Sequence, residues 1–167
     1  LKSNWGTHAL NFSLAAPSRF YAEHSKQNTT DAIASIDGRL DVDRSFNFST
    51  FLRYALLHEP LANEPTSLDL KEPTEYRDAT ATIAFAKSFN RVKFSGGVGV
   101  AESDFEDNEL NNGTPVEEDD RDYQTQTANV RVDYAVSPTT ALFVSGGGNK
   151  RDYDLDPPAS AVNRDSE

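Results

Sequence analysis

The amino-acid sequence predicts an all-β fold, an antiparallel up-and-down transmembrane β-barrel. Three observations predict it: long runs of period-2 alternation, a low apolar content, and a strict exchange of short turns with long polar loops. Residues 31–42 show the alternation at its plainest. Ala32, Ala34, Ile36, Gly38, Leu40 and Val42 take the even positions, and Asp31, Ile33, Ser35, Asp37, Arg39 and Asp41 the odd ones. A strand sorts such a run into one apolar and one charged face, whereas a helix scatters it around its circumference. Soluble strands mostly stop near about 5–6 residues, while about 9–11 tilted residues cross the hydrocarbon of a membrane.

Composition agrees. Hydrophobic residues are 37% of the 167, under the roughly 45–50% of ordinary globular domains. A barrel with a wet interior needs only one apolar face per strand. Lys and Arg number 16 against 27 Asp and Glu, a formal charge of -11. That disfavours nucleic acid, whose phosphates want a basic patch, and suits cationic or neutral solutes; no nucleic-acid partner is expected. With no Cys there is neither a disulfide framework nor a thiolate metal site. No apolar run reaches the roughly 18 residues of a transmembrane helix, and barrel strands leave no such signal. The first residues lack the basic and apolar segments of a signal peptide, so a mature or internal piece of a longer protein is expected.

Taken in order, the first run is residues 5–14, with Leu10, Phe12 and Leu14 on one face. Residues 31–42 follow, then a reversal at Asp43-Arg44-Ser45. The return run, 46–58, carries Phe46, Phe48, Leu52, Tyr54 and Leu56 on its even side. In 76–87, Ala79, Ala81, Ile83 and Phe85 oppose Asp78, Thr80 and Thr82; in 92–101, Val92, Phe94, Gly96, Val98 and Val100 oppose Lys93, Ser95, Gly97 and Gly99. In 123–134, Ala128, Val130, Val132 and Tyr134 oppose Thr125, Thr127, Asn129, Arg131 and Asp133; the last run, 140–151, carries Leu142, Val144, Gly146 and Gly148.

Short turns are expected at 43–45, 88–91 and 135–139, and long outer loops near 15–30, 60–75, 102–122 and 153–167, within a single segment of 1–167 and no separate domains. One end of the sheet thus holds all the long loops, the layout of an outer-membrane barrel. Seven runs are an odd number, and bacterial single-chain barrels have an even one. The expectation is therefore an incomplete fragment of a larger barrel, since an open edge in lipid leaves costly unpaired backbone groups. Tyr54, Tyr76, Tyr123, Tyr134 and Tyr153 fall near strand ends, where a membrane interface would hold them.

This geometry assigns two residue sets. Ile36, Leu40, Phe48, Leu52, Ile83, Phe85, Val98, Val130, Val132, Leu142 and Val144 are expected to face lipid. Asp31, Asp37, Arg39, Asp41, Arg53, Asp78, Lys93, Arg131 and Asp133 are expected to face a lumen, with charges of both signs pairing across strands. Acidic loops added to that wall give a mild cation preference.

Catalytic and metal chemistry finds little support. His8, His24 and His58 have no metal-ligand spacing and read as surface or strand-end residues. The glycine clusters 96–99 and 146–148 lie inside strands, where wall curvature explains them better than a phosphate loop. Asp152, Asp154 and Asp156 alternate like the start of a calcium loop but lack its glycine and distal Glu. They are the weak candidates for a metal; otherwise no metal or cofactor is expected, although Ca2+ could order the acidic loops. Nothing sets one carboxylate against another in a cleft as a glycosidase requires, so the chain is not expected to be an enzyme.

At Glu72-Pro73-Thr74-Glu75-Tyr76, Arg151-Asp152-Tyr153 and Asn163-Arg164-Asp165-Ser166-Glu167 the chain resembles the β-barrel porins of proteobacterial outer membranes, often encoded alongside exopolysaccharide or capsule export genes. The likeness covers residues 32–167. It implies a Gram-negative outer-membrane location, a passive pore or an export-associated barrel, and no catalytic residues. In that family the Arg-Asp-Ser pattern is followed by glycine and further strands, which again implies truncation at Glu167. The expected partners are the lipid bilayer, small solutes or a polysaccharide, and further copies in an oligomer. The rival from another class is a soluble all-β binding module with acidic, calcium-binding loops.

Overall fold

The computed structural model describes residues 2–4, 7–23, 25–59 and 70–154. Twelve strands occur there: β1 Lys2–Asn4, β2 His8–Ala15, β3 Ser18–Arg19, β4 Thr29–Thr30, β5 Ala32–Asp43, β6 Phe46–Glu59, β7 Thr74–Phe89, β8 Val92–Phe105, β9 Asn108–Glu109, β10 Pro115–Val116, β11 Tyr123–Ser137 and β12 Thr140–Tyr153. Eight form one antiparallel sheet in the order β1-β2-β5-β6-β7-β8-β11-β12, so every long strand lies beside its neighbour in the chain. The fold is the predicted all-β meander. Its sheet is open, with no pairing between β1 and β12 among the described residues.

Six predicted runs appear nearly as read. The first differs: β2 begins at His8, and β1 pairs with it as a separate eighth strand, Lys2 opposite Asn11. The ladders also run further toward the long loops than alternation suggested. β7 starts at Thr74 and β8 continues to Phe105. Beyond Ala79 and Val100 the apolar face turns charged, with Arg77 opposite Asp104 and Ala79 opposite Glu102. The hydrophobic signal therefore stops while the backbone pairing goes on. The first long loop contains the β3/β4 pair, and the loop after β8 contains β9, β10 and a 3-10 turn at Asp119–Arg121. The predicted loops 60–75 and 153–167 lie mostly outside the described residues.

The turns are fixed by local chemistry. Asp43 Oδ1 accepts from Ser45 N–H at 2.6 Å and from Ser45 Oγ at 2.7 Å, an Asx turn. Lys87 Nζ donates to the other carboxylate oxygen at 2.9 Å. The Ser45 hydroxyl foremost, then Lys87, holds the Asp43 carboxyl well below the usual carboxylate range. Asn90 closes the β7/β8 hairpin at φ 51°, a conformation Asn tolerates better than most residues. Register shifts at Asp41/Asp43 and Ala135/Ser137 sit beside the other two turns, where a bulge adds twist and interrupts the ladder only at its end.

Candidate functional site

Register converts alternation into two continuous faces, because residues paired across antiparallel strands share a side. One row runs Phe12, Ile36, Leu52, Ala81, Val100, and the next inward row Gly38, Thr50, Ile83, Val98, Ala128, Gly148. All eleven residues expected to face lipid lie on this side: Ile36, Leu40, Phe48, Leu52, Ile83, Phe85, Val98, Val130, Val132, Leu142 and Val144. They are exposed rather than packed away. Leu40 is 49% exposed, Val98 58% and Val130 62%. On β8 the apolar stretch covers residues 92–100, roughly 27 Å of strand at about 3.4 Å per residue.

The end of this face nearest the short turns carries rings. Phe46 and Phe48 are 4.7 Å apart, and Phe89 and Phe94 meet edge to face at 6.1 Å. Lys87 reaches over Phe46 and Phe89, 5.2 and 5.5 Å from the centroids, and ends on Asp43. An aromatic rim with a long amine leaning past it to a polar group is what a membrane interface selects. Of the five tyrosines expected there, Tyr54 and Tyr134 are on this face. Tyr76, Tyr123 and Tyr153 are not: register puts them on the polar face, and phenylalanines supply most of the rim. Proximity to a strand end located these tyrosines along the strand but not the side on which they stand.

The opposite face holds Asp37, Arg39, Asp41, Arg53, Asp78, Lys93, Arg131 and Asp133, as the alternation predicted. Most of these charges are paired within the wall. Arg39 binds Asp41 at 2.8 Å, and Arg131 binds Asp133 at 2.6 Å while its guanidinium lies 3.9 Å from the Phe143 centroid. Arg53 Nη1 donates to Asp78 Oδ2 at 3.0 Å, and Ser103 Oγ donates to Asp78 Oδ1 at 2.6 Å. Asp31 departs from the expectation. It precedes β5 and is only 5% exposed. Its carboxylate is taken by His58 rather than presented on the wall: Oδ1 accepts from the His58 backbone N–H at 3.0 Å and faces His58 Nδ1 at 3.0 Å.

Glycines report which way the sheet bends. On β12 the outward Gly146 and Gly148 have open space where a Cβ would stand, while between them a Cβ at Gly147 would lie 2.8 Å from Ala128 O. On β8 a Cβ at Gly99 would lie 2.7 Å from Thr82 Cγ2 and 2.9 Å from Thr127 Oγ1. Gly97, Gly99 and Gly147 all belong to the polar face. On β12 the two faces differ sharply, and from this contrast we infer that the polar face is the inside of the bend there. Ala55, fully buried, and the nearly buried Ser103 lie on that same side. The apolar side is tight at two positions also: a Cβ at Gly96 would lie 3.0 Å from Asn129 O and 3.1 Å from the Phe85 ring, and one at Gly38 2.7 Å from Thr50 Cγ2.

At the loop end the polar face carries a cluster that the sequence did not reveal. Tyr76 stacks on Phe105 with centroids 5.0 Å apart, and the Arg121 guanidinium lies 4.1 Å from the Phe105 centroid. Arg121 also binds Glu118 at 2.8 Å and Glu59, on β6, by a short contact. Behind it the segments 70–74 and 106–116 are stitched together: Leu70 bridges Leu110, Lys71 binds Glu109 at 2.7 Å, and Asn108 Nδ2 donates to Thr74 Oγ1 at 2.9 Å. Asp122 Oδ1 accepts from Phe105 N–H at 2.7 Å. Burial still pushes its carboxyl above the ordinary range, helped by Asp104, Asp119 and Asp154.

A raised carboxyl contributes stability only while protonated, and that contribution is lost as pH rises through the carboxylate range. Asp122→Asn keeps the acceptor and removes the charge. It is expected to raise the melting temperature at neutral pH by roughly 1–2 °C, a small effect because solvent screens the site, and to converge with the parent near pH 4. Thermal scans at both pH values check it.

Among the described residues no group of three or more His, Asp or Glu is disposed to hold a metal. Asp152 pairs with Lys150 at 2.7 Å, Asp154 closes β12 with its N–H on Asp122 O, and Asp156 lies outside the described residues, as do His24 and the motif at 163–167. His8 stands on the apolar face at the turn end, opposite Leu40. No helix among the described residues is long and apolar enough to cross a membrane, which says nothing of a barrel.

A meander with one exposed apolar face, one charged face on the inside of its bend, and all long connections at one end defines a β-barrel wall protein. The chain belongs to the family described as "Putative beta-barrel porin 2", whose model matches residues 1–167. Membership supports an outer-membrane β-barrel in general. Searches of curated proteins and of solved structures returned no match.

Proposed function

We propose that this chain forms wall of an outer-membrane pore, with acyl chains against the apolar face and water and small solutes along the polar one. The exposed apolar face carries the reading. On a soluble monomer a contiguous exposed apolar face of this kind marks an interaction or aggregation site, which argues against the rival of a soluble module with acidic loops. Four acids and four bases of the predicted set within the strands, Asp37, Asp41, Asp78 and Asp133 against Arg39, Arg53, Lys93 and Arg131, leave the spanning wall close to neutral. A mild cation preference would come from the loop end as a whole, where acids outnumber bases: Glu72, Glu75, Glu106 and Asp107, with Lys26, line one polar cavity there. Fixed negative charge at an entrance raises local cation concentration.

A polysaccharide is a weaker fit than small solutes. Tyr76, Phe105, Tyr123 and Tyr153 are the rings on which sugars would stack, yet arginines already cover two of them: Arg121 lies over Phe105 and Arg151 over Tyr123. The test is planar-bilayer recording of the full-length protein under a salt gradient. A reversal potential of the sign for cations, shrinking as salt rises, is the expected result. Anion selectivity refutes the cation preference, and absence of any conductance refutes the pore.

A further inference from the structure

The loop end also holds a histidine whose surroundings differ from those of the rest of the wall. His58, near the end of β6, is largely covered, and each of its ring nitrogens faces a carboxylate. Nδ1 lies 3.0 Å from Asp31 Oδ1, and Nε2 lies 3.8 Å from Glu75 Oε2 on β7. The first is a hydrogen bond; the second is an ion-pair separation, too long for one. Carboxylates only accept, and a neutral imidazole donates from one nitrogen alone. With Nδ1–H directed to Asp31, the neutral ring turns a lone pair toward Glu75. Only the doubly protonated ring satisfies both neighbours.

Three separate connections meet at this ring. Asp31 is the neck of the first long loop: its N–H donates to Pro17 O at 2.9 Å, just outside the β3/β4 pair. His58 ends one wall strand and Glu75 begins the next. The ring also borders a polar cavity of about 490 Å³ that gives water and protons access. Glu72, Glu106 and Asp107 line that cavity and favour a positive ring, while Lys26, the one lysine or arginine lining it among the described residues, opposes one.

We propose that His58 is a pH-responsive clasp that fastens the neck of the first loop to β6 and β7, and that it closes when the imidazole gains its second proton. Imidazole is the side chain that gains a proton nearest physiological pH, and here both ring nitrogens face carboxylates. Acidification therefore tightens the neck, and alkalinity loosens it. The clasp stands whether or not the barrel conducts.

The test is hydrogen exchange on the full chain in lipid nanodiscs, following the Asp31 and Arg19 amides from pH 8 to pH 5.5 with the intrinsic pH dependence removed. Protection is expected to rise by roughly tenfold, the scale on which a neutral hydrogen bond gains when its donor becomes charged. The rise should vanish in His58→Gln and shrink in Glu75→Gln. Imidazole 15N shifts of His58 should move to the doubly protonated values over the same interval. A neck whose protection ignores pH in the parent protein overturns the proposal, and so does an undiminished response in His58→Gln, which would assign it to His24 or to the acids alone.

Discussion

Val130→Arg is expected to destabilise the membrane-embedded sheet by about 2–4 kcal/mol, the cost of a cation on the lipid face near the bilayer midplane. The position follows from register. Val130 pairs with Gly96, midway along the apolar stretch 92–100 of β8, and with Gly146 on its other side. An arginine there has apolar neighbours along both strands: Val98 and Phe94 flank Gly96, and Val132 and Ala128 lie two residues away along β11. The matched control is one residue upstream. Asn129 sits on the polar face between Gly97 and Gly147, where an arginine meets water and should change stability by no more than about 0.5 kcal/mol. Reversible denaturant unfolding from lipid vesicles reads both. A large cost at 130 with little at 129 requires lipid on the apolar side; equal small costs mean that both faces are solvated, and the barrel reading then fails.

How much of this was legible before the structure depended on loop length. Each short turn fixes the register of the strands it joins. With the turn at Arg44-Ser45, the β5/β6 ladder places Ala32 opposite Leu56, so Asp31 falls beside the end of β6 where His58 stands. That clasp was within reach of hairpin arithmetic, but a lone histidine without metal spacing gave no reason to do it. Across the long loops no arithmetic applies. The alternation fixes which face a residue occupies, yet sliding β7 against β6 by two residues would preserve every face. The Arg53–Asp78–Ser103 network depends on both a long-loop register and a short-turn one, and only the faces of its members could be read. Arg121 was less visible still, because it lies in a loop and its stacking on Phe105 depends on β8 running past the end of the apolar pattern. Face assignment survives such ignorance because its period is two; pairing does not.

Curvature gives the last prediction, which uses adjacent residues on one strand. Gly147→Val must fit a Cβ 2.8 Å from Ala128 O and 3.3 Å from Asn129 Cβ, so the backbone of β12 has to move away from β11. Overpacking of this kind costs about 1–3 kcal/mol. Gly148→Val meets nothing within 4 Å, adds an apolar branch to the lipid side, and replaces the residue least suited to a strand interior. It should be neutral or stabilise by up to about 1 kcal/mol. Gly99→Val should cost more than Gly147→Val, because β8 lies between two long strands and cannot retreat from Thr82 and Thr127 together. Unfolding of the three variants from the same vesicles gives the order 99, 147, 148. If 147 and 148 tolerate valine equally, the polar face is not the inside of the bend, and the glycines of 96–99 and 146–148 need another cause. If the order holds, the glycines mark where the wall curves around its charged side, and the curvature that would enclose a lumen is written into the sequence at the positions where a side chain has no room.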